Sequence, residues 1–302
     1  MENFAGGQWH RPQCVMMFLL LIFFVRVIHA EAVPVSPPWM VGFSAGESSN
    51  AVTASPMAQG NVLVTILPFE AARMEMPSLK HGSVEVPIEW CAADPVSRLV
   101  FITPGDARKI RNTPWQSLTK NSNGETYLCN GPDGVLRGTS QGWVKQVAGK
   151  VLPFALLRID FENRGPPCGT AVVDSTGKVA ALVFQKEDGT RTCYAIPAEA
   201  VLRVQRDMQA GGKLVRGWLG LTLLPENEVP TVVKVFTNSP ADQVGLKPHD
   251  ILQEVGGRQV LNYADAANAF FYLRSGEPVV LKFRRGAVQW EITAIPSVEA
   301  KD

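Results

Sequence analysis

At 302 residues, 46% of them apolar, the chain is long enough for two separately packed domains. Lys and Arg number 29 against 28 Asp and Glu, so no basic surface of the kind phosphate binding needs is indicated, and nucleic acid is not an expected partner. The one tight basic group, Lys282, Arg284 and Arg285, reads as the solvated face of a strand.

Taken in chain order, Arg11 precedes an apolar run over residues 15–25, and Arg26 and Ala30-Glu31-Ala32 follow. The last three suit a small-residue cleavage site, so residues 1–32 read as a signal peptide and the chain as exported, periplasmic or extracellular. A run of about 11 residues is short of the roughly 20 that cross a bilayer. Arg26 at its end leaves an uncleaved, tilted anchor as the alternative, and with it the only expected contact with a membrane. Export implies an oxidising compartment. Once Cys14 has left with the signal, Cys91, Cys129, Cys168 and Cys193 remain; four cysteines leave three pairings open. No Cys-x-x-Cys spacing occurs, so neither a zinc ribbon nor a redox motif is expected, and no metal or cofactor is called for.

Residues 33–39 are rich in Pro and Val and read as a linker. From residue 40 onward, short apolar runs at 61–67, 99–102, 151–159 and 179–184 are broken by Gly, Pro, Asn and Asp. That spacing predicts many antiparallel strands in a sandwich or barrel. A helix follows: Pro197 suits its first turn, Val201, Val204 and Met208 share a face, and Gly211-Gly212 ends it. Residues 213–298 then read as strand, strand, helix, strand, strand, with the helical pattern over 263–273.

In that last segment, Arg216-Gly217-Trp218-Leu219-Gly220-Leu221 resembles the opening of an HtrA-family PDZ domain. Ser239-Pro240-Ala241, with Gly245-Leu246 and Asp250-Ile251 after it, resembles the family's S-P-A-x-x-x-G-L-x-x-G-D-x-I run, His249 standing in place of its second Gly. The resemblance implies a groove that takes an extended peptide or protein C-terminus as an added strand. The terminal carboxylate would meet backbone N–H groups of the loop Trp218, Leu219, Gly220 and Leu221. Thr222, Leu223 and Leu224 would form the strand beside the ligand, and Ala266, Ala269, Phe270 and Leu273 the helix side of the groove and the core beneath it.

Upstream, Cys193-Tyr194-Ala195-Ile196-Pro197 resembles the G-F-A-I-P strand of HtrA proteases, and residues 177–182 the strand before it. Pro166-Pro167-Cys168-Gly169-Thr170 falls on the nucleophile motif G-N-S-G-G, Asp94-Pro95-Val96-Ser97-Arg98-Leu99 on D-P-x-S-D-L, and residues 61–69 on the histidine strand. The resemblance thus implies a trypsin-like double β-barrel over 40–205 followed by a PDZ-like α+β domain over 213–298, a mainly β chain. It also implies that the triad positions read Pro68, Arg98 and Cys168. Proline accepts no proton, Arg98 would repel an imidazolium, and Pro166 has no N–H to give an oxyanion hole. Loss of one such donor alone costs about 100- to 1,000-fold in turnover.

The expected function is therefore a non-catalytic, exported peptide-binding protein, its barrel domain a platform or homo-oligomerisation unit. The alternative is an active endopeptidase, with Cys168 as nucleophile or with a serine-type triad elsewhere in the barrels. Gly165-Pro166-Pro167-Cys168-Gly169 partly echoes the G-x-C-G-G of viral cysteine proteases, but such a thiol normally needs a histidine or another cation to lower its pKa. Of the four histidines, only His81 lies in the barrel region, and Leu79-Lys80-His81-Gly82 reads as a surface turn.

Overall fold

The computed structural model describes residues 38–45, 48–67, 77–105, 110–116, 123–131, 134–147, 150–224 and 229–298. The signal segment 1–32, most of the linker and Pro68 lie outside the described residues. Trp39, read from the sequence as linker, opens the first strand.

Seven strands form the first sheet: β1 (Trp39–Ala45), β2 (Ser48–Pro56), β3 (Leu63–Ile66), β4 (Ser78–His81), β5 (Val84–Val86), β6 (Ile88–Asp94) and β7 (Leu99–Pro104). Their order is β5-β4-β1-β2-β3-β7-β6, antiparallel where paired. The second is a closed barrel of β8 (Thr126–Gly131), β9 (Gly134–Val147), β10 (Lys150–Phe161), β11 (Ala171–Val173), β12 (Val179–Lys186) and β13 (Thr192–Pro197), ordered β10-β13-β12-β11-β8-β9. Strand side chains alternate between faces, so a strand buried on both sides reads as an unbroken apolar run. In β3, Leu63 enters the core of the first sheet while Val64 enters the core between the two sheets. In β10, Leu156 joins that shared core and Leu157 the interior of the closed barrel. The continuous runs at 61–67 and 151–159 come from these two-sided burials.

Helix α1 (Ala198–Gly211) follows, with Pro197 at its N-cap and Gly212 at its C-cap in the left-handed region, φ 69°. Gly212 N–H closes the end on Met208 O, and Val201, Val204 and Met208 pack into the shared core as their spacing predicts.

The C-terminal domain has a ribbon of β14 (Leu221–Leu223) and β15 (Val232–Val235), then α2 (Pro240–Gln243), β16 (Ile251–Val255), β17 (Arg258–Gln259), α3 (Tyr263–Phe271), β18 (Val279–Arg285) and β19 (Val288–Ala294). The last four strands form a sheet of order β17-β16-β18-β19. The sequence pattern missed α2, whose four residues are too few to show a period; Ser239 caps it, its Oγ accepting from Asp242 N–H at 3.2 Å. The basic group of β18 is paired: Lys282 lies 3.2 Å from Glu254, and Arg285 2.7 Å from the fully buried Asp250.

Candidate functional site

The loop that leads into β14 turns its carbonyls inward. Leu219 O accepts from Ala241 N–H at 2.8 Å, and Gly220 O accepts from Phe236 N–H at 2.9 Å and Ser239 Oγ at 3.2 Å. Gly220 sits at φ 77°, and a Cβ there would stand 2.2 Å from Ser239 Cβ, so both backbone angle and space demand glycine. With the carbonyls held this way, Leu219 N–H and Gly220 N–H have no acceptor among the described residues. Trp218 anchors the loop from the other side by pairing with Ser297, N–H to O at 2.7 and 2.9 Å. Beyond it, β14 pairs among the described residues with β15 along one edge only, and Leu221 and Leu223 pack on the domain core while Thr222 is exposed.

A cavity of about 440 Å³ opens beside this loop. Leu219, Leu221, Tyr263, Ala267 and Phe270 line it from the C-terminal domain, and Lys145, Leu152 and Pro153 from the closed barrel. The helix residues correct the sequence expectation in part. Ala266 and Ala269 lie in the core beneath α3, 0% and 2% exposed, whereas Tyr263, Ala267 and Phe270 face the groove, and Leu273, just past the helix, both joins that core and lines the groove. The reason is helical geometry: 263, 267 and 270 form one i, i+4, i+7 stripe, and 266 and 269 lie on another.

Helix α3 is also held against the barrel. Asn268 Oδ1 accepts from Ala155 N–H at 2.9 Å, and Phe271 meets Phe154 edge-on, ring centres 4.9 Å apart. Between Val151 and Leu156, β10 slips out of register with β9, which frees Ala155 for that contact. Arg203 of α1, 2% exposed, donates to Val215 O at 2.6 Å and Leu273 O at 3.0 Å, and Asp207 pairs with Arg274 at 2.9 Å.

Lys145 is the barrel's charged contribution to the groove wall. Its ammonium donates to Leu152 O, and burial, with Arg216 nearby, pushes its pKa down to about 8.

At the triad-like positions, Arg98 lies in the turn between β6 and β7 at φ 64°. It exchanges bonds with Leu67: Arg98 Nε donates to Leu67 O at 3.1 Å, and Leu67 N–H to Arg98 O at 2.7 Å. Asp94, the carboxylate of that turn, is 3% exposed and accepts from Ser97 N–H at 2.7 Å, an Asx-type turn cap. Cys168, half-buried, docks on β2 through its carbonyl, which accepts from Thr53 N–H at 3.2 Å. Gly169 follows at φ 82°, where a Cβ would come within 1.8 Å of Thr53 O. Ser55 Oγ latches the segment by donating to Gly169 O and accepting from Ala171 N–H, both at 2.8 Å.

His81 is not in a turn, as the sequence suggested, but ends β4 and stacks on Trp39 with ring centres 4.3 Å apart. Trp39 pairs with His81 on one side and with Ala54 of β2 on the other, and Cys168 docks beyond β2. Three strand spacings of about 4.8 Å put His81 roughly 14 Å from Cys168, outside hydrogen-bond reach. None of the four cysteines left open for pairing forms a disulfide. Burial pushes Cys91 up to about 11 and Cys129 up to about 12; burial and then the neighbouring Cys168 and Cys129 push Cys193 up to about 12.

The PDZ domain family matches residues 217–294. A probable periplasmic serine endoprotease DegP-like of Ectopseudomonas mendocina is 30% identical over 134 residues, 40% of this chain and 28% of that protein. A putative serine protease HhoB of Synechocystis is 29% identical over 144 residues, 41% of this chain and 34% of that protein. The chain thus spans about a third of the length of these curated relatives. Among solved structures, HtrA-type protease AlgW with tripeptide aligns at TM-score 0.62 and 18% identity, covering 88% of this chain and 95% of that one. The serine endoprotease from Yersinia pestis aligns at TM-score 0.55 and 17% identity, covering 88% and 95%; both likenesses are of fold. The chain thus carries a PDZ domain over 217–294, is similar over part of its length to proteins named DegP-like endoproteases, and shares the barrel-plus-PDZ fold of HtrA-type proteases.

Proposed function

We propose that this chain is an exported HtrA-family pseudoprotease that binds extended peptides or protein C-termini in its PDZ groove, with the barrels as a non-catalytic platform. The observation that carries the binding half is the loop at Leu219 and Gly220. Two adjacent N–H groups without acceptors open onto a partly apolar cavity, beside a strand that pairs along one edge only, both among the described residues. That combination suits a terminal carboxylate on the loop and an added strand along β14. A fold relative solved with a tripeptide adds support. Thr222, Leu223 and Leu224 then lie alongside the ligand, and Tyr263, Ala267 and Phe270 meet its side chains.

The non-catalytic half rests on chemistry. Pro166 and Pro167 supply no N–H before Cys168, Arg98 stands where the acid would be, and His81 is two strands removed from the thiol. Export rests on the leader-like segment and on relatives named as periplasmic proteins.

Titrating the mature protein into fluorescent decapeptides with free C-termini tests the binding. We expect saturable binding that Gly220→Glu or Leu219→Glu abolishes; equal binding by those variants would refute the assignment of the groove. Casein incubated with wild type and Cys168→Ala tests the rest. We expect no cleavage by either, whereas cleavage lost in Cys168→Ala would make the chain a cysteine peptidase.

A further inference from the structure

The groove wall carries an unbalanced charge. Lys145 of β9 and Arg216 of the segment before the loop both line it, and among the described residues no Asp or Glu does. Tyr263 of α3 is the remaining titratable side chain of the lining; Leu152 and Pro153 of β10 and Val96 of the β6–β7 turn add apolar surface. Neither Lys145 nor Arg216 has a carboxylate partner among the described residues, although Arg258, Arg274 and Arg285 of the same domain all do. Lys145 spends one donor on Leu152 O and keeps two others. Two cations facing one half-enclosed, partly apolar space lack only an anion.

Resting on the groove assignment above, we propose that the ligands are peptides carrying an Asp or Glu side chain within their last few residues in addition to the terminal carboxylate, and that Lys145 of the barrel selects that side chain. The loop N–H groups are matched to one carboxylate. Lys145 and Arg216 approach the same cavity from outside that loop, so a second negative charge satisfies what the first leaves over. Charge complementarity also sets a pH dependence. The ammonium, held near 8 in the free protein by burial and by Arg216, rises when an anion arrives, so binding takes up a proton above that pH. Preference for acidic tails is full below about pH 7 and declines as pH passes 8.

The test uses the mature full chain and paired fluorescent decapeptides with free C-termini, identical except for Glu or Gln at each of the four positions before the last. We expect at least fivefold tighter binding of a Glu peptide than its Gln partner at pH 6.5, shrinking to under twofold at pH 9.5. Lys145→Met should remove the preference, so that the Glu and Gln members of each pair bind alike. Lys145→Arg, which keeps its charge, should hold the preference at pH 9.5, a readout that a merely structural lysine would not give. Peptides that bind with equal affinity in each pair, or a preference that survives Lys145→Met, would overturn this inference alone. If no peptide of either kind binds, the groove assignment itself fails.

Discussion

Gly169 shows how closely the segment around Cys168 is bound to the first sheet. Its backbone angle of 82° and the 1.8 Å approach of an added Cβ to Thr53 O exclude any side chain. Because the obstacle is backbone, relief requires moving β2 or unlatching Ser55, so we expect Gly169→Ala to lower stability by about 3 kcal/mol in denaturant unfolding. Cys193 offers a second test at this scale. Burial and neighbouring thiols raise it from the ordinary value near 9 to about 12, which disfavours the thiolate at every pH below that. Its thiolate fraction at pH 8 is about a thousandfold below that of an unperturbed cysteine, so iodoacetamide should label it correspondingly slowly. The rate should climb with pH toward 12; rapid labelling at pH 8 would contradict its burial. Gly220 was legible in the sequence through the resemblance of residues 216–221 to the opening of an HtrA-family PDZ domain. Lys145 was not: nothing near it in the chain marks it as part of a groove, because its partners are brought to it by the fold.

At the scale of elements, α3 does two things with two faces. One stripe, Tyr263, Ala267 and Phe270, lines the groove; another, with Ala266 and Ala269, fills the core; and Phe271 at the end enters the shared core of the barrels. The helix was legible from its apolar pattern, but a helix apolar on most of its circumference does not announce which stripe is which. Similarly, α1 could be read with both its ends, since Pro and paired Gly punctuate it, while α2 is held by one cap rather than by a period. Phe271→Ala leaves a cavity against Phe154 and below Arg203, and we expect it to cost about 3–5 kcal/mol. Hydrogen exchange should show the loss first in α3 and in β10 around Ala155; protection unchanged there would mean that α3 is not held by the barrel.

For the whole molecule, the linking network around Arg203 joins α1, the segment before the PDZ loop and the end of α3. Arg203 and Asp207 are 2% and 5% exposed, and Asp207 also serves Arg274 and Val215 N–H. Removing Asp207 leaves a buried guanidinium next to a second cation, so Asp207→Ala should cost about 3–5 kcal/mol. Calorimetry is expected to show one cooperative transition in the wild type and two in the variant. The two-domain architecture was readable from strand spacing, the Gly pair and the PDZ motif; the docking between domains was not, because it depends on register slips such as that of β10, which leave no pattern in composition.

One measurement meets the central claim head on: following a labelled C-terminal peptide by fluorescence anisotropy against the mature protein for several hours, then weighing the peptide by mass spectrometry. Saturable binding that Gly220→Glu removes, with peptide mass unchanged, is the expected result. Cleavage products that vanish in Cys168→Ala, or no saturable binding at all, would contradict the account.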